Sequence, residues 1–361
     1  MNERKYYPFF DGLRGMAILW VILHHIYTEF VYAPPGSPIR DTLSYKVGWA
    51  GDWGVDLFFV ISGFLITGLL LPKDDRKIDI IRFYQRRCFK ILPSYFFLIL
   101  CVLIFFIGAS RTNALFLTNF LNSLPNYLIF IQNIIPSGSP TLDHLWSIAV
   151  EEHFYITYPI VIYLIYAGGF RVPAKFRIAI FIIIIIASCN LLRWEMIPYL
   201  QGQIQNTLFR ADTLAFGCLI KIFEDKIVRW PNPRQCTALC CFMGSMALWC
   251  VLIKNAGHYY WFSYTFAYTA SGLLIISGLL GLSGIVKCLE FGPLQSVGKI
   301  SYNLYLWHYP LIFMLYFVSK QYPGFLPFLP FCYLLSIFLM GWLATNTIEK
   351  YFLKLRDCIV P

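Results

Sequence analysis

An arginine and a histidine on the first apolar segment are the residues whose spacing points most directly to chemistry. Arg14 lies near the start of this segment, and His25 lies at its end. On a helix, their separation corresponds to three turns plus about 20°, so both side chains point the same way, roughly 16 Å apart along the axis. If this helix spans a bilayer, a guanidinium lies near one headgroup region and an imidazole about halfway through. Ionisable groups inside a membrane are costly, and by default they mark a functional site.

Proton transfer is the chemistry that His25 suits, because imidazole titrates near neutrality and can pass a proton onward. The alternative is a buried histidine that is satisfied by hydrogen bonds between helices. His24 lies about 80° around the helix from Arg14, so we expect it to pack against a neighbour or to support His25.

The composition predicts that these residues belong to a membrane protein. The chain is 58% hydrophobic and 13% charged, and its mean hydropathy is +0.62. These values are far from those of a typical soluble domain. We identify apolar segments that approach the ~20 residues needed to cross a bilayer. They lie at 12–32, 53–71, 91–109, 148–167, 178–194, 207–223, 236–254, 260–284, 300–318 and 327–347.

The predicted fold is therefore all-α, a polytopic membrane bundle of about ten transmembrane helices. We expect one integral-membrane domain over residues 1–361, without an additional soluble hydrolase-like domain. Segment 111–147 breaks the pattern, because it contains three prolines and an apolar stretch at 127–131 that is too short to cross. We predict a re-entrant or surface-lying outer segment that forms a cavity wall, since non-helical backbone at membrane depth needs protein or water around it.

The basic residues predict the orientation in the membrane. With the N-terminus inside, most of them fall in inner loops, which is the asymmetry expected of cytoplasmic loops. Both termini are thus predicted to be cytoplasmic. The net charge of +10 is then mainly an orientation signal, and we expect no nucleic-acid partner. The basic residues that fall outside are Arg40, Lys46, Arg111, Arg193, Lys254 and Lys320, while Arg210 falls within a span.

No bound cofactor or metal is expected. Cys236, Cys240 and Cys241 are close in sequence, but no histidine or carboxylate shares their predicted helix. Small packing residues are the better interpretation of these cysteines. A glycine-rich phosphate loop is also missing from the sequence.

Six segments together resemble acyltransferase family 3, the membrane enzymes that O-acylate cell-surface carbohydrates. The most recognisable segment is His-Leu-Trp-Ser-Ile-Ala-Val-Glu-Glu-His-Phe-Tyr at 144–155. Two positions depart from the family pattern: Lys90 replaces an arginine, which keeps the charge but loses the bidentate fork, and His153 replaces a glutamine. The six segments, in order, are 11–15 with His25, 54–64, 83–93, 144–155, 210–217 and 298–310.

The resemblance implies an enzyme that transfers an acyl group, expected to be acetyl, from cytoplasmic acyl-CoA to a hydroxyl of a lipid-linked or exported glycan. Such a glycan includes O-antigen, lipopolysaccharide and exopolysaccharide. The expected location is the cell (inner) membrane, and the expected partners are the lipid bilayer, acyl-CoA and a carbohydrate or glycolipid acceptor. Acyl transfer needs a base and donors for the developing oxyanion. We expect His25 to be the base and Arg14 to stabilise charge on the donor or on the tetrahedral intermediate.

The basic loop before the third span suits the phosphates of acyl-CoA. We expect Arg86, Arg87 and Lys90 to bind these phosphates at the inner mouth of the span. The alternative is ordinary positive-inside charge or contact with anionic lipid.

Glu151 begins the fourth span near the outer face. It is expected either to orient His25 or to bind an acceptor hydroxyl, and the alternative is an inter-helix salt bridge, with Arg210 as a candidate partner. Asp56 faces the same choice between ion pairing and substrate contact.

The remaining predicted substrate-binding residues also have structural alternatives. Trp146 and Tyr155 either contact substrate or anchor the membrane interface. Ser147 is a candidate relay for a covalent acyl group, and direct transfer is left open. His308 is expected to line the cavity, and Glu152 to contact substrate.

A proton-coupled secondary transporter of a sugar or lipid precursor is the alternative function. Intramembrane histidine, glutamate and arginine would fit it. However, the sequence has no paired halves with matching broken helices, which are the usual sign of such transporters.

Overall fold

The computed structural model describes residues 6–31, 37–71, 78–109, 114–135, 140–168, 172–196, 205–229 and 260–360, with the single residues 232, 235, 239, 242 and 246. Within these ranges the regular structure is helical, without a β-strand. The α-helices are α1 (Phe9–His25), α2 (Leu43–Trp49), α3 (Trp53–Leu70), α4 (Ile80–Ala109), α5 (Ala114–Leu128), α6 (Trp146–Ala167), α7 (Ala174–Met196), α8 (Thr207–Ile222), α9 (Glu224–Val228), α10 (Tyr260–Leu279), α11 (Ser283–Leu289), α12 (Gly292–Lys299), α13 (Ser301–Gln321), α14 (Leu329–Ala344) and α15 (Lys350–Ile359).

Shorter helical turns connect several of these elements. The 3₁₀ turns are Pro38–Asp41, Ala50–Asp52, Pro140–Leu145 and Pro323–Phe328, and the π-helical turns are Ile26–Phe30 and Thr345–Glu349.

Six helical stretches of the described chain are long and apolar enough to cross a membrane. They overlap the spans predicted at 12–32, 53–71, 91–109, 148–167, 178–194 and 327–347. A seventh span results if the bent pair Ser263–Leu279 and Ser283–Leu289 counts as one. The six stretches are Phe9–Phe30, Leu43–Leu70, Ile80–Ala109, Thr141–Ala167, Ala174–Met196 and Pro323–Ile359.

The other predicted spans have different outcomes. The segment predicted at 207–223 is α8, which has only 16 residues, and the one at 300–318 is the more polar helix α13. The segment at 236–254 lies outside the described residues, apart from three single positions. The described ranges thus supply six or seven candidate spans, and the predicted count of about ten is not confirmed.

The span predicted at 260–284 ends earlier than expected. Helix α10 ends at Leu279, and α11 leaves it at an angle of 103°. Gly281 lies between them with a φ of +67°, a left-handed conformation that glycine adopts without steric cost. The bend is therefore encoded at Gly281.

The chain forms two compact units, each made of separate stretches. Unit 1 comprises Met1–Leu71, Leu164–Ile204 and Leu208–Lys299, and unit 2 comprises Pro72–Tyr163, Gln205–Thr207 and Ile300–Pro361. Unit 1 has an apolar core in which Phe10, Leu13 and Leu57 are almost fully buried. In unit 2, Phe106 of α4, Phe120 of α5 and Phe313 of α13 form an aromatic cluster.

Glycines allow close helix contact between α3 and α8 within unit 1. A Cβ atom at Gly63 would lie 1.9 Å from the Leu214 carbonyl oxygen, and one at Gly217 would lie 2.0 Å from the Val60 oxygen. Small residues at such crossings are typical of membrane bundles, in which tight packing drives association.

We expect Gly63→Ala to destabilise the protein by about 1–3 kcal/mol, because the added methyl group forces two backbones apart. Gly108→Ala is the matched control, since a Cβ there meets no atom within 4 Å. Thermal unfolding of the two purified variants in detergent checks this prediction. Equal midpoints would contradict it.

Candidate active-site residues

Arg14 and His25 lie on one continuous α-helix, α1, as the sequence predicts. Their helical register therefore places them on one face, as argued from their spacing. The helix changes immediately after His25 into the π-helical turn Ile26–Phe30. Single π-turns within helices are rare and often occur at functional sites.

His24 and His25 have different surroundings at this end of α1. The Nδ1 atom of His24 lies 2.6 Å from the Trp49 carbonyl oxygen at the end of α2, so His24 holds the backbone of α2. The His25 ring lies edge-on to the His24 ring, with 5.0 Å between their centroids. His25 is only partly buried. Helix α2 falls in a stretch where the sequence analysis predicted no helix.

Arg14 lies beside an acidic residue at the start of α1. Its Nη1 atom lies 3.4 Å from Asp11 Oδ1, and Tyr6 donates a 2.5 Å hydrogen bond to Asp11 Oδ2. The Arg14 side chain keeps 35% of its surface exposed. The guanidinium is therefore oriented by Asp11 and still has surface with which to bind an anion.

Tyr7 fixes the entry of the chain into α1. Its hydroxyl donates a 2.7 Å hydrogen bond to Glu224 Oε1. Burial and this hydrogen bond raise the pKa of Tyr7, because both disfavour the phenolate beside a carboxylate. Tyr7 thus stays a hydrogen-bond donor at neutral pH.

Asp56 forms a buried ion pair with Arg210 in the interior of unit 1. Arg210 Nη2 lies 2.7 Å from Asp56 Oδ1, and Thr213 donates to the same oxygen over 3.3 Å. The Arg210 guanidinium also lies over the ring of Tyr264, 4.3 Å from its centroid. The structure therefore gives Asp56 a partner in the core, and its contact with substrate stays a prediction.

A second buried ion pair in unit 1 was not predicted from the sequence. Arg193 on α7 donates to both carboxylate oxygens of Asp212 on α8, one of them over 2.9 Å. Both side chains are fully buried. Arg193 is therefore a buried residue of unit 1, and its predicted position toward the outer side of the membrane stays a prediction. An arginine near the end of an otherwise apolar helix was the available signal.

Unit 2 brings several predicted residues into one charged cluster. The Arg87 guanidinium lies over the ring of Tyr155, 5.1 Å from its centroid. Glu152 is close enough to both Arg87 and Glu151 to interact with their charges. The cluster therefore joins the start of α6 to residues 86–90, the basic segment of α4. Trp146 begins α6 and is half-buried, as is Arg86 on α4.

Lys90 has a partner within unit 2. Its ammonium group is hydrogen-bonded to Glu349, which is buried at the end of the π-helical turn after α14. Asn303 donates to the other oxygen of Glu349 over 2.7 Å. Lys90 thus neutralises a buried carboxylate, and any phosphate would compete with Glu349 for it.

A second cluster in unit 2 contains hydroxyl groups and imidazoles. The Ser147 and Tyr305 hydroxyl oxygens lie 2.6 Å apart, and Tyr305 donates to the His144 carbonyl oxygen over 2.7 Å. The rings of His144 and His308 are 4.9 Å apart between centroids. All four side chains are buried. His144 was not among the predicted site residues, although it begins the predicted segment 144–155.

The described residues do not assemble a metal site. In that part of the chain, histidine, cysteine, aspartate and glutamate side chains form no group of three that would hold a metal ion. Cys236, Cys240 and Cys241 lie outside it.

Comparison with known proteins gives a family match and several relatives. Residues 7–345 match the family model described as the acyltransferase domain of acyltransferase family 3. O-acetyltransferase OatA of Staphylococcus aureus is 29% identical over 95% of this chain and 56% of its own length. Peptidoglycan O-acetyltransferase OatA of Listeria monocytogenes is 27% identical over 86% and 50%. Putative peptidoglycan O-acetyltransferase YrhL of Bacillus subtilis is 26% identical over 86% and 49%.

The chain spans about half the length of these curated relatives. No solved structure matches it. The family match includes every residue that the sequence analysis nominated.

Proposed function

Because the chain belongs to acyltransferase family 3, we propose that it is a multi-pass membrane enzyme that transfers an acetyl group from acetyl-CoA to a hydroxyl of a cell-surface glycan. The observation that carries the proposal is the family match over residues 7–345. Three relatives named as O-acetyltransferases, two of them for peptidoglycan, favour peptidoglycan as the acceptor over lipopolysaccharide or exopolysaccharide. Both termini are proposed to be cytoplasmic, in the cell membrane.

In the proposed reaction, His25 accepts the proton of the acceptor hydroxyl. The hydroxyl oxygen forms a bond to the thioester carbonyl carbon, and Arg14 stabilises the charge of the tetrahedral intermediate. The carbon–sulfur bond then breaks, and the CoA thiolate takes the proton back from the His25 imidazolium. His25 suits this role because it is partly exposed and ends an α-helix that also presents Arg14.

Membranes that contain the chain test this function. We would supply them with acetyl-CoA labelled in the acetyl group and with peptidoglycan fragments, and then measure base-labile label on the glycan and free CoA thiol. Labelled glycan that depends on the chain is the expected result. Release of thiol and acetate without labelled glycan would instead indicate a thioesterase and would contradict the proposal.

The donor site is proposed to include the basic segment of α4. Arg87 lies over Tyr155 and near Glu152, so its guanidinium is held by neighbouring side chains before any ligand arrives. Arg86 lies next to it in sequence. Guanidinium groups bind phosphates in a bidentate manner, whereas Lys90 is already hydrogen-bonded to Glu349.

We expect Arg87→Ala to raise the KM for acetyl-CoA about 10- to 100-fold, since a hydrogen bond to a charged group contributes about 1.5–3 kcal/mol. The KM for acetyl-pantetheine, which lacks the phosphates of CoA, should stay unchanged. Steady-state kinetics with both donors provide the measurement. An equal rise for the two donors would mean that Arg87 supports the fold and does not bind phosphate.

A further inference from the structure

A proline inside α13 leaves one backbone carbonyl without its helical partner. Pro310 has no N–H group, so the carbonyl oxygen of Leu306, four residues earlier, cannot receive the usual helical hydrogen bond. A free carbonyl within a membrane bundle needs another donor. His144 provides one, because its Nε2 atom lies 3.1 Å from the Leu306 oxygen.

This contact fixes the tautomer of His144. A carbonyl oxygen only accepts hydrogen bonds, so Nε2 carries the hydrogen and Nδ1 of the neutral ring carries a lone pair. His308 also contacts the backbone of α13, because its Nδ1 lies 2.5 Å from the Tyr305 carbonyl oxygen. The rings of His144 and His308 lie edge to face, and each is hydrogen-bonded to the backbone of α13.

The neighbouring hydroxyl groups do not supply a hydrogen for His144 Nδ1. Tyr305 donates its hydrogen to the His144 carbonyl oxygen. The Ser147 hydroxyl has its partners in the Tyr305 hydroxyl, 2.6 Å away, and in the His144 carbonyl oxygen, 3.4 Å away. Among the described residues, none donates a hydrogen bond to His144 Nδ1, and this atom is buried. A buried acceptor without a donor is costly, so a ligand that brings a donor would be favoured there.

We propose that His144 Nδ1 accepts a hydrogen bond from a hydroxyl group of the carbohydrate acceptor. The proposal rests on the proposed function, to which it adds an acceptor-binding residue in unit 2. An alcohol suits this site because it is neutral and donates. Carboxylates and phosphates are disfavoured, because their oxygen lone pairs would face the lone pair of His144 Nδ1. An ammonium group could donate, but it would first have to lose its hydration.

His144→Gln tests the proposal with little change to the fold. The glutamine amide N–H can still donate to the Leu306 carbonyl, but the Nδ1 lone pair is gone. We expect the KM for a peptidoglycan disaccharide of N-acetylglucosamine and N-acetylmuramic acid to rise about 3- to 10-fold, while the KM for acetyl-CoA stays unchanged. His153→Gln is the matched control, because it makes the same change to a histidine that is bonded to Thr207. The proposal is wrong if the two variants have equal acceptor KM values.

Pro310→Ala provides a second test through the tautomer. The backbone N–H group that this substitution introduces competes with His144 for the Leu306 carbonyl, so the Nδ1 lone pair is no longer fixed toward the ligand. The acceptor KM should rise, and the double variant with His144→Gln should show no further rise, because both changes act on one contact. Additive effects would overturn this coupling and with it the assignment of Nδ1.

Nitrogen-15 NMR of the histidine-labelled protein gives a readout that does not depend on turnover. We expect His144 to show an unprotonated Nδ1 whose resonance shifts when the disaccharide is added. A protonated Nδ1, or a resonance that the disaccharide leaves unchanged, would rule out the proposed site. If wild-type protein binds the disaccharide in this way but transfers no acetyl group, then the proposed function fails and the binding site stands.

Discussion

His25→Ala should lower the rate of acetyl transfer to the glycan by about 10²- to 10⁴-fold, which is the usual contribution of a general base. The expected loss is in kcat, because the variant still has Arg14 and the basic segment of α4 with which to bind the donor. The measurement is the initial rate of glycan labelling in membranes with matched amounts of protein. Partial recovery on addition of free imidazole would support the loss of a proton acceptor.

His24→Ala is the matched control for this prediction. The change removes a similar ring from the same turn, and with it the hydrogen bond to the Trp49 carbonyl. We therefore expect a loss of stability by about 0.5–1.5 kcal/mol and a much smaller effect on kcat. Glycan labelling that persists in the His25 variant at unchanged expression would show that the base lies elsewhere.

Arg210→Met should destabilise the protein by about 3–5 kcal/mol, because it leaves the buried Asp56 carboxylate without its countercharge. Asp56 is fully buried, and the Thr213 hydroxyl that also donates to it is neutral. Thermal unfolding in detergent, followed by the loss of the monodisperse species, measures the effect.

The double variant Asp56→Asn with Arg210→Met separates the pair from its individual charges. Removing both charges avoids the unpaired carboxylate, so this variant should be more stable than Arg210→Met alone. If it is no more stable, the interaction of Arg210 with the Tyr264 ring, and not the ion pair, dominates.

The sequence predicted the helical fold and the helix that presents Arg14 and His25, because both depend on local periodicity and on apolar length. It could not predict which charges pair. Asp56 and Arg210 are far apart in the chain, and only the packing of α3 against α8 brings them together. The bend at Gly281 was visible as a glycine, but its left-handed φ follows from the surrounding fold.

For His308, too, the sequence predicted one property and the fold determined another. Its place in an apolar segment indicated a cavity, yet its tautomer depends on the contact with the Tyr305 carbonyl. Similarly, the basic spacing of 86–90 predicted phosphate binding for three residues. The structure distinguishes Lys90 from the arginines, because Lys90 is hydrogen-bonded to the buried Glu349, which lies in a helical turn near the other end of the chain.

The glycine contacts of α1 have a consequence for biosynthesis. A Cβ at Gly12 would lie 1.8 Å from the Leu289 carbonyl oxygen, and one at Gly298 would lie 1.7 Å from the Asp11 carbonyl oxygen. The first helix therefore packs against helices that are translated near the end of synthesis. About 290 residues separate Gly12 from Gly298, and a ribosome needs on the order of 15–60 s to add them at about 5–20 residues per second. During that interval the first helix waits in the lipid or the insertion machinery with Asp11 and Arg14 as mutual counterions. Because Asp11 and Arg14 pair within one helical turn, the first helix has its charges neutralised before the helices that pack against it are synthesised.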